Sequence, residues 1–252
     1  MRNNTTTVEK SSIADIAENV LEDNNIAAVQ RRGVGAVTSP AIELVPLRLT
    51  RGQLLYQPFK RLIDIVASFI CIILLSPVFL ITAIVVKLSS PGPVLFKQIR
   101  VGKGKEPFKI LKFRSMMENA DDMKDELLHL NECEGPFFKI EKDPRVTRAG
   151  RFIRKTSIDE LPQFFNVLIG NMSLVGPRPP IFAELEQYNI QQLENLFIKP
   201  GITCYWQVSG RSDNAQSRLD LDEQYIQECN LITDIKILLK TFLVVFKTDG
   251  AC

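Results

Sequence analysis

Residues Ile65 to Val86 form an unbroken run of 22 uncharged, mostly apolar residues with Ser76-Pro77 near its centre. As a straight helix rising ~1.5 Å per residue it would be about 33 Å long, enough to cross a ~30 Å hydrocarbon core. A segment of that length and composition predicts a membrane protein. Arg48, Arg51, Lys60 and Arg61 precede the run, Lys87, Lys97, Arg100, Lys103 and Lys105 follow it, and Asp64 is the one acid between residues 48 and 105. Lysine and arginine beside membrane segments are kept cytoplasmic, so both ends of this run ask for the same side. A re-entrant helix meets that demand. Pro77 removes a backbone donor and crowds the carbonyl of residue 73, which bends the helix, and the Ser76 hydroxyl can occupy backbone groups so freed. A single straight span that tolerates the proline is the alternative. The run starts beyond residue 60 and has no small-residue cleavage pattern after it, so it is not a signal peptide.

The net charge of +2 says little, but Lys87 to Arg114 carries eight Lys and Arg against Glu106 alone. That balance suits an anionic membrane surface or phosphate-bearing substrates, and also a plain solvated flank. Nothing calls for nucleic acid. Cys71, Cys133, Cys204, Cys229 and Cys252 contain no CxxC pair, and His129 is the only histidine. Zinc sites and disulfide frameworks are therefore unsupported. Any chemistry must rest on carboxylates, hydroxyls and arginines.

Three segments organise the chain. Residues 1–50 are polar, with a short helix expected from Ser12 to Leu21, and read as a flexible tail. Residues 51–88 hold the membrane-entering segment and re-entrant helix. Residues 89–252 are long enough for one compact domain. Within it, VLFKQIRVG and FKILKFRSM alternate apolar and basic residues around Gly102-Lys103-Gly104-Lys105, which predicts a hairpin with a basic face. Helices are expected over 116–130, 161–168, 181–197 and 219–229, with GPFFKIEKDPRV extended. The last stretch, Leu231 to Phe246, places Lys236, Lys240 and Lys247 on one broad helical face, as in a helix lying in the membrane interface, although a core helix would serve as well.

The densest group of reactive side chains lies in GRFIRKTSIDELPQFFNVLIGNMSLVGPRPP, residues 150–180. At its centre stand the adjacent acids Asp159 and Glu160. Ser157 followed by Glu160 fits a capping box, so the acids could simply start a helix. Arg151, Arg154 and Lys155 lie just upstream, and a carboxylate in a first helical turn beside cations is held ionised. An ionised carboxylate can attack phosphorus or ligate Mg²⁺. The two readings are compatible, because a capped helix presents Asp159 rigidly. In Gly176-Pro177-Arg178-Pro179-Pro180 the prolines fix the backbone around one arginine, as suits a pre-organised phosphate ligand. Lys199-Pro200-Gly201-Ile202-Thr203 leads to Trp206 and to Arg211, a further anion ligand. Asp143-Pro144-Arg145 reads as a turn carrying both charges.

From about Phe59 to Lys247 the chain resembles the bacterial sugar transferases of the monotopic phosphoglycosyl transferase superfamily. The likeness rests on KRLID before a Ser-Pro-broken apolar run, FKILKFRSM, the 150–180 segment, KPGIT and WQVSGRSD, in that order. It implies transfer of a sugar 1-phosphate from a UDP-sugar to undecaprenyl phosphate, with release of UMP, on the cytoplasmic face of the bacterial inner membrane. Asp159 then matches the family's nucleophile and Mg²⁺ ligand, and Glu160 its supporting acid. Arg154, Arg178 and Arg211 match arginines that bind phosphate or nucleotide groups. Lys60 and Arg61 match the basic pair where the re-entrant helix enters the membrane and are expected among the phosphate-binding residues, and Ser76-Pro77 matches the helix break. Cys204 stands where relatives commonly have glycine, so a positive φ there would be strained. The longer members carry extra membrane helices and a further domain, so this chain resembles the catalytic unit alone.

The expected fold class is α+β: a re-entrant membrane helix, then a compact, mostly helical catalytic domain with a small β-hairpin or sheet and interfacial amphipathic helices. The GPFFKIEKDPRVT segment resembles members that transfer hexose phosphates in exopolysaccharide, capsule or O-antigen assembly. Membrane lipids are expected partners, and dimerisation stays open. Two other readings are a non-catalytic membrane-anchored scaffold and a conventional glycosyltransferase that releases UDP.

Overall fold

The computed structural model describes residues 49–123, 125–132, 138, 140, 142–185, 188, 192–209 and 215–247. The polar tail, Arg211 and part of the GPFFKIEKDPRV segment lie outside them. Helix α1 runs from Arg51 to Leu74 and α2 from Ser76 to Ser89. A capping box does occur, at the start of α1: Gln53 N donates to Thr50 Oγ1 at 3.2 Å and Thr50 N to Gln53 Oε1 at 2.9 Å. The two helices meet at 62° around Leu75. Pro77 sits in the first turn of α2, where its missing N–H is no loss, and Ser76 Oγ donates to the Ile73 carbonyl at 2.8 Å. Among the described residues no single helix is long and apolar enough to cross a membrane; by length and composition the bent pair is.

Helix α1 is inside out. Its buried residues are Gln53, Lys60, Asp64 and Ser68, all polar and on one face by their spacing of seven, four and four. Its outward residues include Leu55, Phe59, Leu62, Phe69 and Leu74, each more than half exposed. The polar face docks on the domain. Gln53 Nε2 donates to the Ile226 carbonyl (2.8 Å), Lys60 pairs with Asp234, and Asp64 Oδ1 accepts from Ser173 Oγ (3.1 Å) and Leu174 N (3.0 Å).

The hairpin forms as the alternation predicts, with β1 (Leu95–Val101) antiparallel to β2 (Pro107–Phe113) and Leu95 opposite Phe113. Helices α3 (Arg148–Lys155) and α4 (Gln163–Ile169) follow. Strand β3 (Ser173–Val175) pairs in parallel with β4 (Gly201–Thr203), a second small sheet that the sequence reading lacks. Between them lies the single turn α5 (Phe182–Leu185), and after them come α6 (Tyr205–Val208), α7 (Ala215–Glu228) and α8 (Leu231–Lys247). The core gathers Val167, Met172, Val175, Ile198, Tyr225 and Ile237 from α4, β3, the loops beside the small sheet and the last two helices.

Among the described residues two expected helices do not form as such. Instead of a helix over 116–130, Met116 bridges Val146 and only a 3-10 turn, Asp125–Leu130, follows. Asn119, Asp121 and Asp122 favour local side-chain bonds over helix, and the segment has little apolar surface to bury. Of the expected 181–197 helix, the described residues show α5 and a 3-10 turn over Gln192–Phe197. Helix α8 buries Thr233, Asp234 and Ile237 against the domain, while Ile232, Ile235, Leu239, Phe242 and Leu243 face outward.

Candidate active site

Asp159 and Glu160 are placed by the backbone on either side of them. Thr147 caps α3 by accepting from Gly150 N at 2.9 Å. A β-carbon on Gly150 would sit 1.9 Å from the Ser115 carbonyl oxygen, so the glycine lets α3 lie directly on the end of the hairpin. One turn later Arg154 Nε donates to Ser115 Oγ at 2.8 Å. The chain then reverses at Ser157, whose φ of 55° is left-handed, and Ile158–Glu160 form a 3-10 turn. The expected capping box at Ser157 therefore does not exist: no side-chain cap forms, and α4 begins only after Pro162. Pro162 has no N–H to donate to the Ile158 carbonyl, so the turn of the acids does not run on as an α-helix and the helix starts past them.

Asp159 is 8 % exposed. Burial first, and then the charge of Glu160, push its carboxyl up to about 6, against the pull of Lys112 and Arg154. This corrects the expectation that a helix start and upstream cations dominate, since Asp159 lies in a 3-10 turn and desolvation outweighs the cations. Lys112 Nζ holds Glu160 Oε1 at 2.6 Å. The lysine is brought there by Asn166, whose side chain takes up the open edge of β2: Nδ2 donates to the Lys109 carbonyl (2.8 Å) and Oδ1 accepts from Leu111 N (2.9 Å). The result is a carboxylate that is poorly hydrated yet ionised at neutral pH, as a nucleophile toward phosphorus requires.

Beside the dyad stands an arginine cluster. Arg178 Nη1 lies 3.3 Å from both oxygens of Glu184, and a third of its side chain is exposed. Arg100 approaches the same carboxylate at 3.9 Å and donates to the Pro179 carbonyl at 3.0 Å. Arg218 lies over the Trp206 ring, 4.7 Å from its centroid. Burial and then Arg178 draw Arg100 down to about 9 and Arg218 to about 10, so three cations crowd one region, and Arg100 and Arg218 stay charged at neutral pH. Such a cluster is suited to a diphosphate. Asp222, 3 % exposed, lies within the field of Arg218 and Arg178, yet burial pushes it up to about 7 and its Oδ1 has no hydrogen-bond partner.

The sequence-predicted site residues thus separate into two places. Asp159, Glu160 and Arg154 come together, with Arg178 on the adjoining loop. Lys60 and Arg61 stand instead at the docking face of α1, where Lys60 donates to Tyr225 OH (3.2 Å) and pairs with Asp234, and Arg61 donates to the Val167 and Leu168 carbonyls at 2.6 and 2.9 Å. Arg211 falls outside the described residues. Ser76 and Pro77 sit at the helix break. Lys112, Arg100 and Arg218 join the group unforeseen; Lys112 could have been found from its place on the basic face of the hairpin, whereas no spacing marks Arg218. The expected strain at Cys204 is absent, because its φ of −150° is ordinary extended backbone. Cys204 is simply buried, at 1 % exposure.

As for magnesium, Asp159 and Glu160 are the carboxylates at hand, and among the described residues no group of three or more His, Cys, Asp or Glu could hold a metal. Two carboxylates fit an ion that takes most of its ligands from phosphates and water.

The sequence profile described as "Bacterial sugar transferase" matches residues 55–248. The chain is 47% identical over 196 residues to "Galactosyl transferase CpsE" of Streptococcus agalactiae serotype III, covering 76% of this chain and 43% of that protein. It is 42% identical over 218 residues to "UDP-glucose:undecaprenyl-phosphate glucose-1-phosphate transferase" of Escherichia coli, covering 82% and 43%. Against "Exopolysaccharide production protein ExoY" of Rhizobium meliloti it is 40% identical over 197 residues, covering 76% and 87%. The chain thus spans less than half the length of several relatives and most of the length of another. With the profile covering most of its length and the Asp159–Glu160 site inside the match, the chain belongs to the bacterial sugar transferase family.

Proposed function

We propose that this protein transfers a hexose 1-phosphate, such as that of glucose or galactose, from a UDP-sugar to undecaprenyl phosphate, releasing UMP and opening the assembly of exopolysaccharide, capsule or O-antigen glycans. The observation that carries the reading is Asp159, buried yet ionised at neutral pH, between Lys112 and Arg154 and beside an arginine cluster. The names of the relatives supply the sugar class and the lipid.

In the first half-reaction an Asp159 carboxylate oxygen attacks the β-phosphorus of the UDP-sugar. The new P–O bond forms as the bond to the bridging oxygen breaks, and UMP leaves with that electron pair. In the second, a phosphate oxygen of undecaprenyl phosphate attacks the same phosphorus and the Asp159 carboxylate departs unchanged. Arg178, Arg100 and Arg218 bind and orient the diphosphate, while Lys112 fixes Glu160 and Arg154 keeps Asp159 charged. Asp159 and Glu160 would hold Mg²⁺ together with the diphosphate, where the ion would neutralise phosphate charge.

The bent α1–α2 pair supports a seat at the cytoplasmic face of the inner membrane. An inside-out helix gains nothing from water on its apolar side, whereas lipid removes that surface from water and leaves the polar face docked. The outward apolar residues of α8, with Lys236 and Lys240 beside them, offer a further apolar face of the same kind.

The test is the leaving nucleotide. Membrane-extracted protein is given undecaprenyl phosphate, Mg²⁺ and a panel of UDP-sugars. UMP release that vanishes in Asp159→Asn is the expected result and names the sugar. UDP release untouched by the substitution would favour a conventional glycosyltransferase, and no turnover with any donor would favour a scaffold.

A further inference from the structure

A cavity of about 250 Å³ opens between α1, the hairpin turn and the loop before β4, lined among others by Gln57, Arg61, Asp64, Lys103, Ser173 and Lys199. It is separate from the dyad. Arg61 marks the C-terminal end of α4, through the Val167 and Leu168 carbonyls, whereas Asp159 and Glu160 precede that helix. Seven residues of helix span ~10 Å. Along the hairpin, Lys103 lies in the turn while Lys112 reaches the dyad from the far end of β2, roughly 17 Å away at 3.3 Å per residue.

The charge in this cavity is lopsided. Four cations line it, Lys60, Arg61, Lys103 and Lys199, against the single acid Asp64. Lys60 is neutralised by Asp234, and Asp64 is held by Ser173 and Leu174. Arg61 Nη2 and Lys199 Nζ converge: they lie 3.2 and 3.6 Å from the point a β-carbon on Gly170 would occupy. Among the described residues the Lys103 and Lys199 ammonium groups make no hydrogen bond or ion pair. Burial and then the charge of Arg61 lower the Lys199 ammonium from its ordinary value, outweighing the opposing charge of Asp64. The volume is below the ~300 Å³ at which ligand pockets usually begin, so it suits a headgroup-sized anion rather than a nucleotide sugar. Its rim is α1, next to the outward Leu54, Phe59 and Leu62.

We infer that this cavity is a second anion site that binds a phosphate group through Arg61, Lys103 and Lys199, outside the catalytic centre. Two sources share that chemistry: the headgroup of an anionic phospholipid whose tails lie along α1, and soluble phosphate.

The experiment uses the full chain in neutral detergent with two probes, phosphatidylglycerol followed by native mass spectrometry and inorganic phosphate followed by thermal melting. Lys103→Gln/Lys199→Gln is compared with the equally charge-reduced Lys97→Gln/Lys109→Gln, whose lysines are exposed on the hairpin. A headgroup site predicts one tightly retained phosphatidylglycerol per chain, about tenfold weaker in the cavity variant, intact in the hairpin variant and restored in Lys103→Arg/Lys199→Arg. A soluble-phosphate site predicts the same pattern in the melting shift with inorganic phosphate, and no preference for phosphatidylglycerol over phosphatidylcholine. If neither probe distinguishes the cavity variant from the hairpin variant, the inference is wrong. The cavity lysines make no structural bond among the described residues, so the cavity variant should keep the wild-type melting temperature without ligand.

Discussion

A carboxylate that attacks phosphorus must be ionised at the working pH and still poorly solvated, and at Asp159 burial and neighbouring charge meet at a value of about 6. The account therefore predicts an acid limb in kcat/KM near pH 6, with activity rising as Asp159 loses its proton. Lys112→Met removes one of the cations that favour the ionised form, and its pH profile should have the limb displaced upward by a sizeable fraction of a unit; an unmoved limb would take Asp159 out of the rate equation. Asp222 offers a contrast without chemistry. Its folded value of about 7 lies above the unfolded 3.8, so the native state holds the proton more tightly and stability falls as pH rises through that window. Asp222→Asn should melt higher than wild type at pH 8 by roughly 2–4 kcal/mol, with the advantage fading toward pH 4.

Among the elements, the two glycine motifs find their meaning in the small parallel sheet. A β-carbon on Gly201 would come within 2.1 Å of Gly176 N, and one on Gly176 within 2.4 Å of the Lys199 carbonyl oxygen. The loops GPRPP and KPGIT touch backbone to backbone, which sets Arg178 against Glu184. Gly201→Ala must part β3 from β4 and should lower the melting temperature by many degrees, at a cost of about 3 kcal/mol or more, measurable by circular dichroism. The hairpin, α8 and the break at Ser76-Pro77 were legible because period-two alternation, helical lysine spacing and proline are local signals. The polar stripe of α1 was not, since Gln53, Lys60, Asp64 and Ser68 read as flank until their partners in β3, α7 and α8 are known. Three-residue strands leave almost no periodicity, so β3 and β4 were equally hidden. At the site, the adjacent acids and the proline-framed Arg178 stood out by composition. Arg218 and Asn166 did not, because their importance comes wholly from contacts distant in sequence.

For the whole molecule, the proposed seat in one leaflet rests on the inside-out helix pair and the outward apolar face of α8. Both ends of the bent pair then lie on one side. Single cysteines at Arg51 and Ser89, in a background with native cysteines replaced by alanine, should both react with an impermeant maleimide from the cytoplasmic side; labelling from opposite sides would make the pair a span. Everything else hangs on Asp159 bearing the phosphosugar. Full-length protein incubated with its UDP-sugar and Mg²⁺ but no lipid acceptor should gain the mass of one sugar phosphate, map it to the peptide containing Asp159, and lose it on adding undecaprenyl phosphate. If turnover proceeds with no such adduct, even on rapid quenching, or if Asp159→Asn still carries it, the nucleophile is not Asp159 and the account of the site fails.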